Sequence, residues 1–203
     1  MNDITPLNTA LIIFVRHPEL GKVKTRLAKV IGDDKALAVY NLLLGHTRQI
    51  TIPLNCRKFI YYTDQVIEHD IWTFPGYTKR QQFGGDLGER MLNAFKELFD
   101  QGFKKVMIIG SDCYQLQTAI IEQAITALNV NDVVIGPTFD GGYYLLGSNG
   151  YIPELFKDKA WSTDQVTTQT IATATQLKLT YSLLQKLHDV DEANDLELNG
   201  ISI

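Results

Sequence analysis

The sequence predicts an α/β domain in which buried strands alternate with amphipathic helices. Runs of mainly apolar residues, which are typical of strands buried on both faces of a parallel sheet, occur at residues 10–15, 106–109 and 132–136. Apolar side chains at helical spacing mark residues 33–49 and 87–100. Because neither a repeat nor a low-complexity linker interrupts this alternation, we expect one continuous domain over residues 1–203.

Composition and charge narrow the class of protein. The chain has 203 residues, of which 45% are hydrophobic and 21% charged, and its formal net charge is -4. An acidic chain lacks the basic excess of a general nucleic-acid binder. Residues 1–7 hold no basic segment of a signal peptide, and the run at residues 10–15 is too short to span a bilayer. We therefore expect a cytoplasmic protein without nucleic-acid or membrane partners.

The first predicted strand, residues 10–15, leads into the basic segment RHPELGKVKTRLA. Its cations are Arg16, Lys22, Lys24 and Arg26. A basic loop at the carboxyl end of a strand suits phosphate binding, although a solvated charged loop has the same composition. It is not a P-loop, because Arg16 stands where that motif needs glycine and Val23 where it needs serine or threonine.

The next segment predicts two helices and two strands before a glycine-rich turn. Asp33 or Asp34 is expected to cap a helix that ends near residue 49. A strand at 58–63, a short helix at 66–72 and an edge strand at 77–82 follow.

The glycine-rich turn is the segment QQFGGDLGERM, which runs into the helix predicted at 87–100. Gln82 precedes Gly84 and Gly85, so a side-chain amide and open backbone amides lie near one another. This arrangement suits the edge of a nucleobase, but it also suits a plain tight turn.

The central strand, residues 106–109, is followed by Gly110, Ser111 and Asp112. Ligands of open parallel sheets gather at the carboxyl ends of the strands, so this position favours a functional carboxylate. The alternative is a helix cap, but the next helix is predicted only from about residue 118. Cys113 is interpreted as a small buried apolar residue, because no histidine neighbours it in the sequence.

Asp140 follows the strand predicted at 132–136, within PTFDGGYYLLG, and another strand is expected at 143–147. In a parallel sheet Asp140 would open on the same side as Asp112. Gly141 and Gly142 leave room for an acceptor, on which Tyr143 or Tyr144 could stack. The same DGG sequence serves equally as a tight turn between two strands.

The C-terminal part predicts smaller elements. They are a short helix at 153–157, a helix capped by Ser162 or Thr163 that reaches residue 177, and a strand at 179–184. The segment HDVDEANDL then carries Asp189, Asp191 and Asp195, a composition that solvated turns commonly show.

Six segments together resemble a known family: FVRHPELGKVKTRLA, QQFGGDLGERM, IIGSDCY, GPTFDGGYYLLG, WSTDQV and DVDEANDL. Over about residues 10–196 the chain resembles the bacterial GT-A-type glycosyltransferase-like family, which includes radical-SAM- and selenodomain-associated transferases. It is more distantly similar to 2-phospholactate guanylyltransferase and the molybdenum cofactor nucleotidyltransferases. The resemblance implies a three-layer α/β/α, Rossmann-like, mostly parallel sheet of the nucleotide-diphospho-sugar transferase fold.

The resemblance also implies roles for individual residues. Lys24 and Arg26, with Arg16 beside them, would face the nucleotide phosphates, and Gln82, Gly84 and Gly85 would border the base. Asp112 would hold Mg²⁺ or Mn²⁺ and take part in catalysis with Lys24 and Arg26. The second metal contact falls on Asp191, with Asp189 as the fallback. Two residues depart from the pattern of the family, namely Tyr114 in place of proline and Glu192 in place of threonine.

These residue types suit a metal-dependent transferase that uses a nucleoside triphosphate or a nucleotide-sugar. Breaking the bond to a phosphate leaving group requires its charge to be neutralised, which Mg²⁺ or Mn²⁺ on hard carboxylates and nearby cations can do. Glycosyl and nucleotidyl transfer to a small acceptor both remain open. The alternative is a nucleotide-binding module without turnover.

Overall fold

The computed structural model describes residues 8–202, so the signal-peptide prediction for residues 1–7 lies outside the described residues. A seven-stranded sheet forms its centre. The strands are β1 (Thr9–Val15), β2 (Arg57–Tyr62), β3 (Tyr77–Gln81), β4 (Lys105–Ile109), β5 (Val133–Pro137), β6 (Tyr143–Ser148) and β7 (Tyr181–Leu183). Their order in the sheet is β3-β2-β1-β4-β6-β5-β7, which confirms the predicted edge position of β3.

Helices connect these strands. They are α1 (Thr25–Ile31), α2 (Asp33–Thr51), α3 (Leu87–Asp100), α4 (Thr118–Ala127), α5 (Val166–Gln176) and α6 (Ala193–Leu198). The short helix predicted at 153–157 is a 3-10 turn at Pro153–Leu155. Among the described residues, no helix combines the length and the apolar composition that crossing a membrane requires.

The direction of the strands determines which loops meet. β1 pairs in parallel with β2 and β4, and β2 pairs in parallel with β3. β6 is antiparallel to both β4 and β5, so β5 runs in the direction of β4. The sheet is therefore mostly parallel, as predicted. The carboxyl ends of β1 to β5 lie along one edge, where ligands of such sheets gather.

Side chains alternate between the two faces of the sheet and build a core on each. Leu11 and Ile13 face a cluster with α2 and α4, whereas Ala10 and Ile12 face a cluster with α3. All four residues are fully buried. This alternation explains why the strand is apolar throughout, since helices cover both faces. The result is the predicted three-layer α/β/α arrangement.

The prediction of a helix at 66–72 is wrong, because side chains bind the backbone carbonyls and amide that a helix would pair with one another. Lys79 of β3 donates through its ammonium to the carbonyls of Ile67 (2.7 Å) and Glu68 (3.0 Å). The backbone amide of Trp72 donates to Asp70 Oδ1 at 2.9 Å. These bonds replace the backbone pattern of a helix, and the segment forms turns around the buried Trp72.

The predicted helix caps also need correction. Gly32 is the cap residue of α2, so Asp33 and Asp34 lie inside its first turn. Their negative charge there interacts favourably with the positive end of the helix dipole. α5 starts only after Gln165, and Thr163 Oγ1 donates to the carbonyl of Ala160, so neither Ser162 nor Thr163 caps it. Helix α1 was not predicted.

Candidate functional site

A cleft of about 840 Å³ lies at the carboxyl ends of the strands. Loops that follow β1, β3, β4 and β5 form its walls, together with residues 161–164 and the acidic segment before α6. Ten of the site residues named from the sequence line it, namely Arg16, Lys24, Arg26, Gln82, Gly85, Asp112, Asp140, Gly142, Tyr143 and Asp191. Gly84 and Gly141, also named from the sequence, are not among the residues that line this cleft.

Lys24 is the centre of the charged network in the cleft. It precedes α1 in a left-handed conformation with φ of 48°, which is uncommon for a residue with a side chain. Its Nζ lies 2.9 Å from Asp112 Oδ1 and 3.0 Å from Asp191 Oδ1. Burial lowers the pKa of Lys24, but the two carboxylates more than offset burial and hold it above the ordinary value. Lys24 therefore remains an ammonium ion.

Asp191 is held by two cations. Besides Lys24, Arg26 donates to its Oδ2 at 2.9 Å. Burial raises the pKa of Asp191, but Lys24 and Arg26 lower it further, so the carboxyl lies below its ordinary pKa. The start of α6 is fixed by Asp195, whose Oδ2 accepts hydrogen bonds from the amides of Asp191 and Glu192. The change to Glu192 thus leaves Asp191 anchored.

Asp189 lines the same cleft, but its pKa is shifted upward, whereas the pKa of Asp191 is shifted downward. Burial, with the nearby Asp112, Asp140 and Asp191, raises the pKa of Asp189 to about 8. A carboxyl with this pKa is mostly protonated at neutral pH. It is Asp191 that shares the ammonium of Lys24 with Asp112.

The oxygen atoms of Asp112 and Asp191 already converge on one cation, the ammonium of Lys24. Over residues 8–202, no three His, Cys, Asp or Glu side chains come together as a self-sufficient metal centre. Two carboxylates are hard donors suited to Mg²⁺ or Mn²⁺, but such ions need further oxygen ligands, which phosphates can supply. The residues therefore fit a metal that binds together with a phosphorylated ligand.

The loop that holds Asp112 is tied to the acidic segment. The amide of Val190 donates to the carbonyl of Asp112 at 2.9 Å. Tyr114, the departure from the family pattern, packs against the ring of His46 with centroids 4.7 Å apart. Cys113 is buried and its thiol has a raised pKa because of burial, as expected for a residue without a nucleophilic role.

Tyr40 is a cleft residue that the sequence did not reveal. It lies on α2 and is 3% exposed. Its hydroxyl accepts a hydrogen bond from the amide of Arg16 at 2.8 Å and donates to the carbonyl of Arg16 at 3.3 Å. In the sequence Tyr40 is one more large residue in a helix, so only its tertiary contact identifies it as a support of the basic loop.

The glycine-rich turn is more constrained than the sequence suggested. Nε2 of Gln82 donates to the carbonyl of Tyr61 at 2.9 Å, and the amide of Gly85 donates to Glu89 Oε2 at 2.8 Å. Gly84 has φ of 139°, and a Cβ there would lie 2.8 Å from the amide nitrogen of Arg90. Gly84 is therefore required for packing against α3.

Arg90 is a further cation of the cleft that the sequence analysis did not select. It lies in the second turn of α3, lines the cleft, and donates through Nε to the carbonyl of Gly84 at 3.1 Å.

Asp140 is part of a tight turn and also lines the cleft. It lies in the turn between β5 and β6, where its Oδ1 accepts hydrogen bonds from the hydroxyl of Thr138 and, at 3.1 Å, from the amide of Gly142. Gly141 has φ of 91°, and a Cβ there would lie 2.1 Å from the carbonyl oxygen of Asp164, so its role is packing.

Two aromatic rings complete this end of the cleft. Tyr143 and Trp161 stand edge to face, with centroids 6.5 Å apart and planes at 88°. Tyr144 also lines the cleft, but it is buried and its hydroxyl donates to the carbonyl of Gln185 at 3.0 Å. The sequence assigned only a helix cap to the segment that contains Trp161.

The comparisons with known proteins agree with this geometry. Residues 48–163 match the family DUF2064, described as an uncharacterized protein conserved in bacteria. A solved structure, a candidate nucleotide-diphospho-sugar transferase from Desulfovibrio desulfuricans G20, shares 33% sequence identity. The alignment covers 91% of this chain and 83% of that chain with a TM-score of 0.84. This chain belongs to the DUF2064 family.

More distant structures share the fold of this DUF2064 protein. CMP:2-keto-3-deoxy-manno-octonic acid synthetase complexed with CTP has 8% identity and a TM-score of 0.60, over 95% of this chain and 97% of that chain. A cytidylyltransferase from Leptospira borgpetersenii has 15% identity and a TM-score of 0.58, over 91% of this chain and 78% of that chain. No curated protein shows significant sequence similarity. At these identities the two structures show a shared fold and no more.

Proposed function

We propose that this DUF2064 protein is a transferase that depends on Mg²⁺ or Mn²⁺ and uses a nucleoside triphosphate or a nucleotide-sugar. It moves a nucleotidyl or a glycosyl group to a small acceptor. The observation that carries the proposal is the contact of Lys24 with both Asp112 and Asp191 inside the cleft. The contact supplies a buried cation and hard oxygen donors at one point, as transfer from a phosphorylated donor requires.

The basic wall of the cleft would hold the phosphates of the donor. Arg16 and Lys24 come from the loop after β1, and Arg26 from the first turn of α1. Arginine can bind phosphate oxygens with two parallel hydrogen bonds, whereas lysine acts as a point charge. Because Lys24 is almost fully buried, its attraction for a phosphate is screened little by solvent.

A divalent metal would be held by Asp112 and Asp191, with phosphate oxygens as further ligands. When bound, it neutralises the charge that develops on the leaving phosphate group. Lys24 lies beside both carboxylates and would keep them in place before the donor arrives.

The transfer joins an acceptor oxygen to the donor. In nucleotidyl transfer the acceptor oxygen bonds to the α-phosphorus and pyrophosphate leaves. In glycosyl transfer it bonds to the anomeric carbon and a nucleoside diphosphate leaves. In both cases the acceptor hydroxyl loses its proton, and Asp140 is the carboxylate we assign to receive it.

The test combines calorimetry with an assay of the product. Wild-type protein is titrated with each of the four ribonucleoside triphosphates and with UDP-glucose, in the presence and absence of Mn²⁺, and pyrophosphate release is then followed. Asp112→Asn should abolish the metal-dependent part of nucleotide binding. Asp100→Asn is the matched control, because Asp100 pairs with Lys96 on the exposed surface of α3. If Asp112→Asn binds nucleotide and Mn²⁺ as the wild type does, the metal assignment is wrong.

The same titrations separate a transferase from a module without turnover. Metal-dependent nucleotide binding without release of pyrophosphate or nucleoside diphosphate in the presence of a broad set of acceptors would support the module.

A further inference from the structure

Two of the four cations that line the cleft have no carboxylate partner. Lys24 and Arg26 form ion pairs with Asp191. Arg16 and Arg90 line the same cleft, but no carboxylate of residues 8–202 forms an ion pair with either of them. Arg16 lies in the loop that is assigned above to the phosphates of the donor. Arg90 lies on α3, and the proposed function gives it no part.

The glycine-rich turn orients the side chain of Arg90. Its Nε donates to the carbonyl of Gly84 at 3.1 Å. Gly84 is itself fixed, because it packs against the backbone of α3 with φ of 139°. In the described part of the chain, no acceptor engages the two terminal nitrogens of Arg90. A guanidinium held in this way can donate two parallel hydrogen bonds to a phosphate or a carboxylate.

The acidic residues at the start of α3 contact backbone amides and do not contact Arg90. Asp86 Oδ1 accepts a hydrogen bond from the amide of Glu89 at 2.8 Å. Glu89 Oε2 accepts one from the amide of Gly85, also at 2.8 Å. Neither Asp86 nor Glu89 is among the residues that line the cleft. The guanidinium of Arg90 is therefore available to a ligand in the cleft.

Arg90 and the basic loop reach the cleft from opposite faces of the sheet. Val23, next to Lys24, packs in the core on the face of α2 and α4. Met91, next to Arg90, packs in the core on the face of α3. A donor whose phosphates contact Lys24 would therefore leave Arg90 on the opposite wall, where the second substrate can contact it.

A second hydrogen-bond donor lies on the wall that contains Arg90. The hydroxyl of Tyr143 lies against Met91, the residue after Arg90, and donates to its Sδ at 3.7 Å. A thioether is a weak acceptor, and no other partner of this hydroxyl occurs among the described residues. Burial raises the pKa of Tyr143, so the hydroxyl keeps its proton and remains a donor. A ligand with a stronger acceptor can satisfy it.

We infer that Arg90 and the hydroxyl of Tyr143 bind an anionic group of the acceptor, which makes the second substrate a phosphorylated or a carboxylated compound. Both groups donate hydrogen bonds, as the oxygen atoms of an anion require. The inference rests on the proposed transferase function and narrows its acceptor. The anionic group anchors the compound, and a separate hydroxyl of the same compound attacks the donor.

The first measurement separates the donor from the acceptor. Calorimetry in the presence of Mn²⁺ compares wild type and Arg90→Gln for the four ribonucleoside triphosphates and UDP-glucose. The variant should bind the tightest of these donors within about threefold of the wild type, because it loses no contact with the donor. A loss of about tenfold or more would place Arg90 with the donor and overturn the inference. A wild type that binds none of the donors contradicts the proposed function instead.

Matched compounds test the class of acceptor. Glycerol, D-glycerate and glycerol 3-phosphate form one set, and D-glucose, D-glucuronate and D-glucose 6-phosphate form another. Each is titrated with the tightest donor and Mn²⁺ present, and again without donor, and the emission of Trp161 is read immediately after mixing. Trp161 reports on this wall because it stands edge to face with Tyr143, while the other tryptophan, Trp72, is 2% exposed.

An anionic member of at least one set should bind at least about tenfold more tightly than its neutral counterpart, as charge-assisted hydrogen bonds provide. Which anion binds more tightly distinguishes a phosphate from a carboxylate. Equal binding of neutral and anionic compounds, or no response to any of them, overturns the inference. The titration without donor gives this result even where no donor binds.

Variants tie the preference for anions to the two named groups. Arg90→Gln should reduce the preference to about twofold or less. Lys96→Gln, which removes an exposed cation from the same helix, is the control and should leave the preference unchanged. Arg90→Lys keeps the charge without the two parallel hydrogen bonds, so it should retain part of the preference, and it replaces Arg90→Gln if that variant does not fold.

Tyr143→Phe keeps the ring and removes only the hydroxyl. It should weaken binding of the preferred anion by about three- to tenfold. Because Met91 Sδ is the partner that the hydroxyl loses, the melting temperature should stay close to that of the wild type. A preference for anions that Arg90→Gln retains, or that Lys96→Gln also loses, overturns the inference. Unchanged binding of the anion by Tyr143→Phe overturns the site formed by the two groups.

Discussion

Lys24 and Asp191 are 167 residues apart in the sequence, yet Nζ of Lys24 lies 3.0 Å from Oδ1 of Asp191. The contact joins the basic loop after the first strand to the acidic segment before the last helix. Asp112, which follows the central strand, lies 2.9 Å from the same ammonium. The charge balance of the cleft is therefore established by three distant parts of the chain.

Lys24→Met tests this contact, because it keeps the long apolar stem and removes the charge. Asp112 and Asp191 would then face each other without their shared ammonium. Loss of one partner from a buried pair costs about 3 to 5 kcal/mol, and we expect about 1 to 3 kcal/mol here because both carboxylates are partly exposed. Urea denaturation measures the loss.

The control for this variant is Lys29→Met, since Lys29 is an exposed lysine on α1, the helix that Lys24 precedes. It should leave the free energy of unfolding within about 0.5 kcal/mol of the wild type. If the two variants are equally stable, the buried ammonium contributes nothing to folding, and its place between the carboxylates serves ligand binding alone.

The sequence predicted those parts of the fold that local pattern determines. The helix at Leu87–Asp100 has its apolar residues on one face and Asp86 as its cap, and it begins and ends where predicted. Asp112 lies in the cleft because a buried strand ends just before it. The antiparallel direction of β6 agrees with the alternative in which DGG forms a tight turn between two strands, since parallel strands cannot be joined by so short a connection.

Other features depend on contacts between distant residues, and the sequence does not display them. Lys79 donates hydrogen bonds to the carbonyls of Ile67 and Glu68, and these bonds replace those of the helix expected at 66–72. Tyr40 supports Arg16 from a helix 24 residues further along the chain. Gly141 was expected to leave room for a ligand, but the space it leaves is filled by the backbone of Asp164.

Gln82→Ala should weaken nucleotide binding or broaden its base preference. Because Nε2 of Gln82 is engaged with the carbonyl of Tyr61, its amide oxygen is the group that can accept a hydrogen bond from a base. Loss of a buried contact of this kind costs about 1 to 3 kcal/mol. Gln81→Ala, at an exposed neighbouring position, is the control. Unchanged selectivity across the four bases in calorimetric titrations would remove Gln82 from the base site.

Gly141→Ala should destabilise the protein by at least about 2 kcal/mol. The residue has φ of 91°, and the added Cβ would meet the carbonyl oxygen of Asp164 at 2.1 Å, so strain and overpacking act together. Gly150→Ala is the control, since nothing lies within 4 Å of a Cβ at that position. Thermal unfolding of both variants measures the difference, and equal melting temperatures would contradict the packing role of Gly141.

Asp132→Ala should cost stability in a manner that depends on pH. Oδ2 of Asp132 accepts hydrogen bonds from the amide and the hydroxyl of Thr180, both at 2.8 Å, and these bonds lower the pKa of Asp132 below 3.8. A depressed pKa means that the contribution is complete above pH 3.8 and is lost as the pH falls through the lower folded value.

We expect a loss of about 1 kcal/mol at neutral pH, a value reduced for solvent exposure. Urea denaturation of wild type and Asp132→Ala at neutral pH and below pH 3.8 should show the difference shrinking in acid. Thr180→Val removes the hydroxyl, which donates to Asp132 Oδ2 and accepts from the amide of Asp132, but keeps the amide of Thr180 as a donor to Oδ2, so the pH-dependent part of the effect should be intermediate. A difference that is constant across this range would show that the charge of Asp132 plays no part.

Asp140→Asn and Asp140→Ala separate the catalytic role of Asp140 from its role in the turn. Asparagine keeps an oxygen that can accept the hydrogen bonds from Thr138 and Gly142, but it cannot take a proton from an acceptor hydroxyl. Asp140→Asn should therefore fold as stably as the wild type and bind nucleotide with nearly unchanged affinity. Its transfer rate should fall by about a hundredfold or more, the usual contribution of a general base.

Asp140→Ala should show the same loss of turnover and, in addition, a loss of stability of about 1 kcal/mol from the broken turn. Each rate is normalised to the folded fraction, so that unfolding is not mistaken for lost catalysis. Equal losses of nucleotide affinity and turnover in Asp140→Asn would place Asp140 with the donor, because such losses report contacts already made in the ground state. Normal turnover in Asp140→Asn, together with a less stable Asp140→Ala, would restrict Asp140 to the turn between β5 and β6.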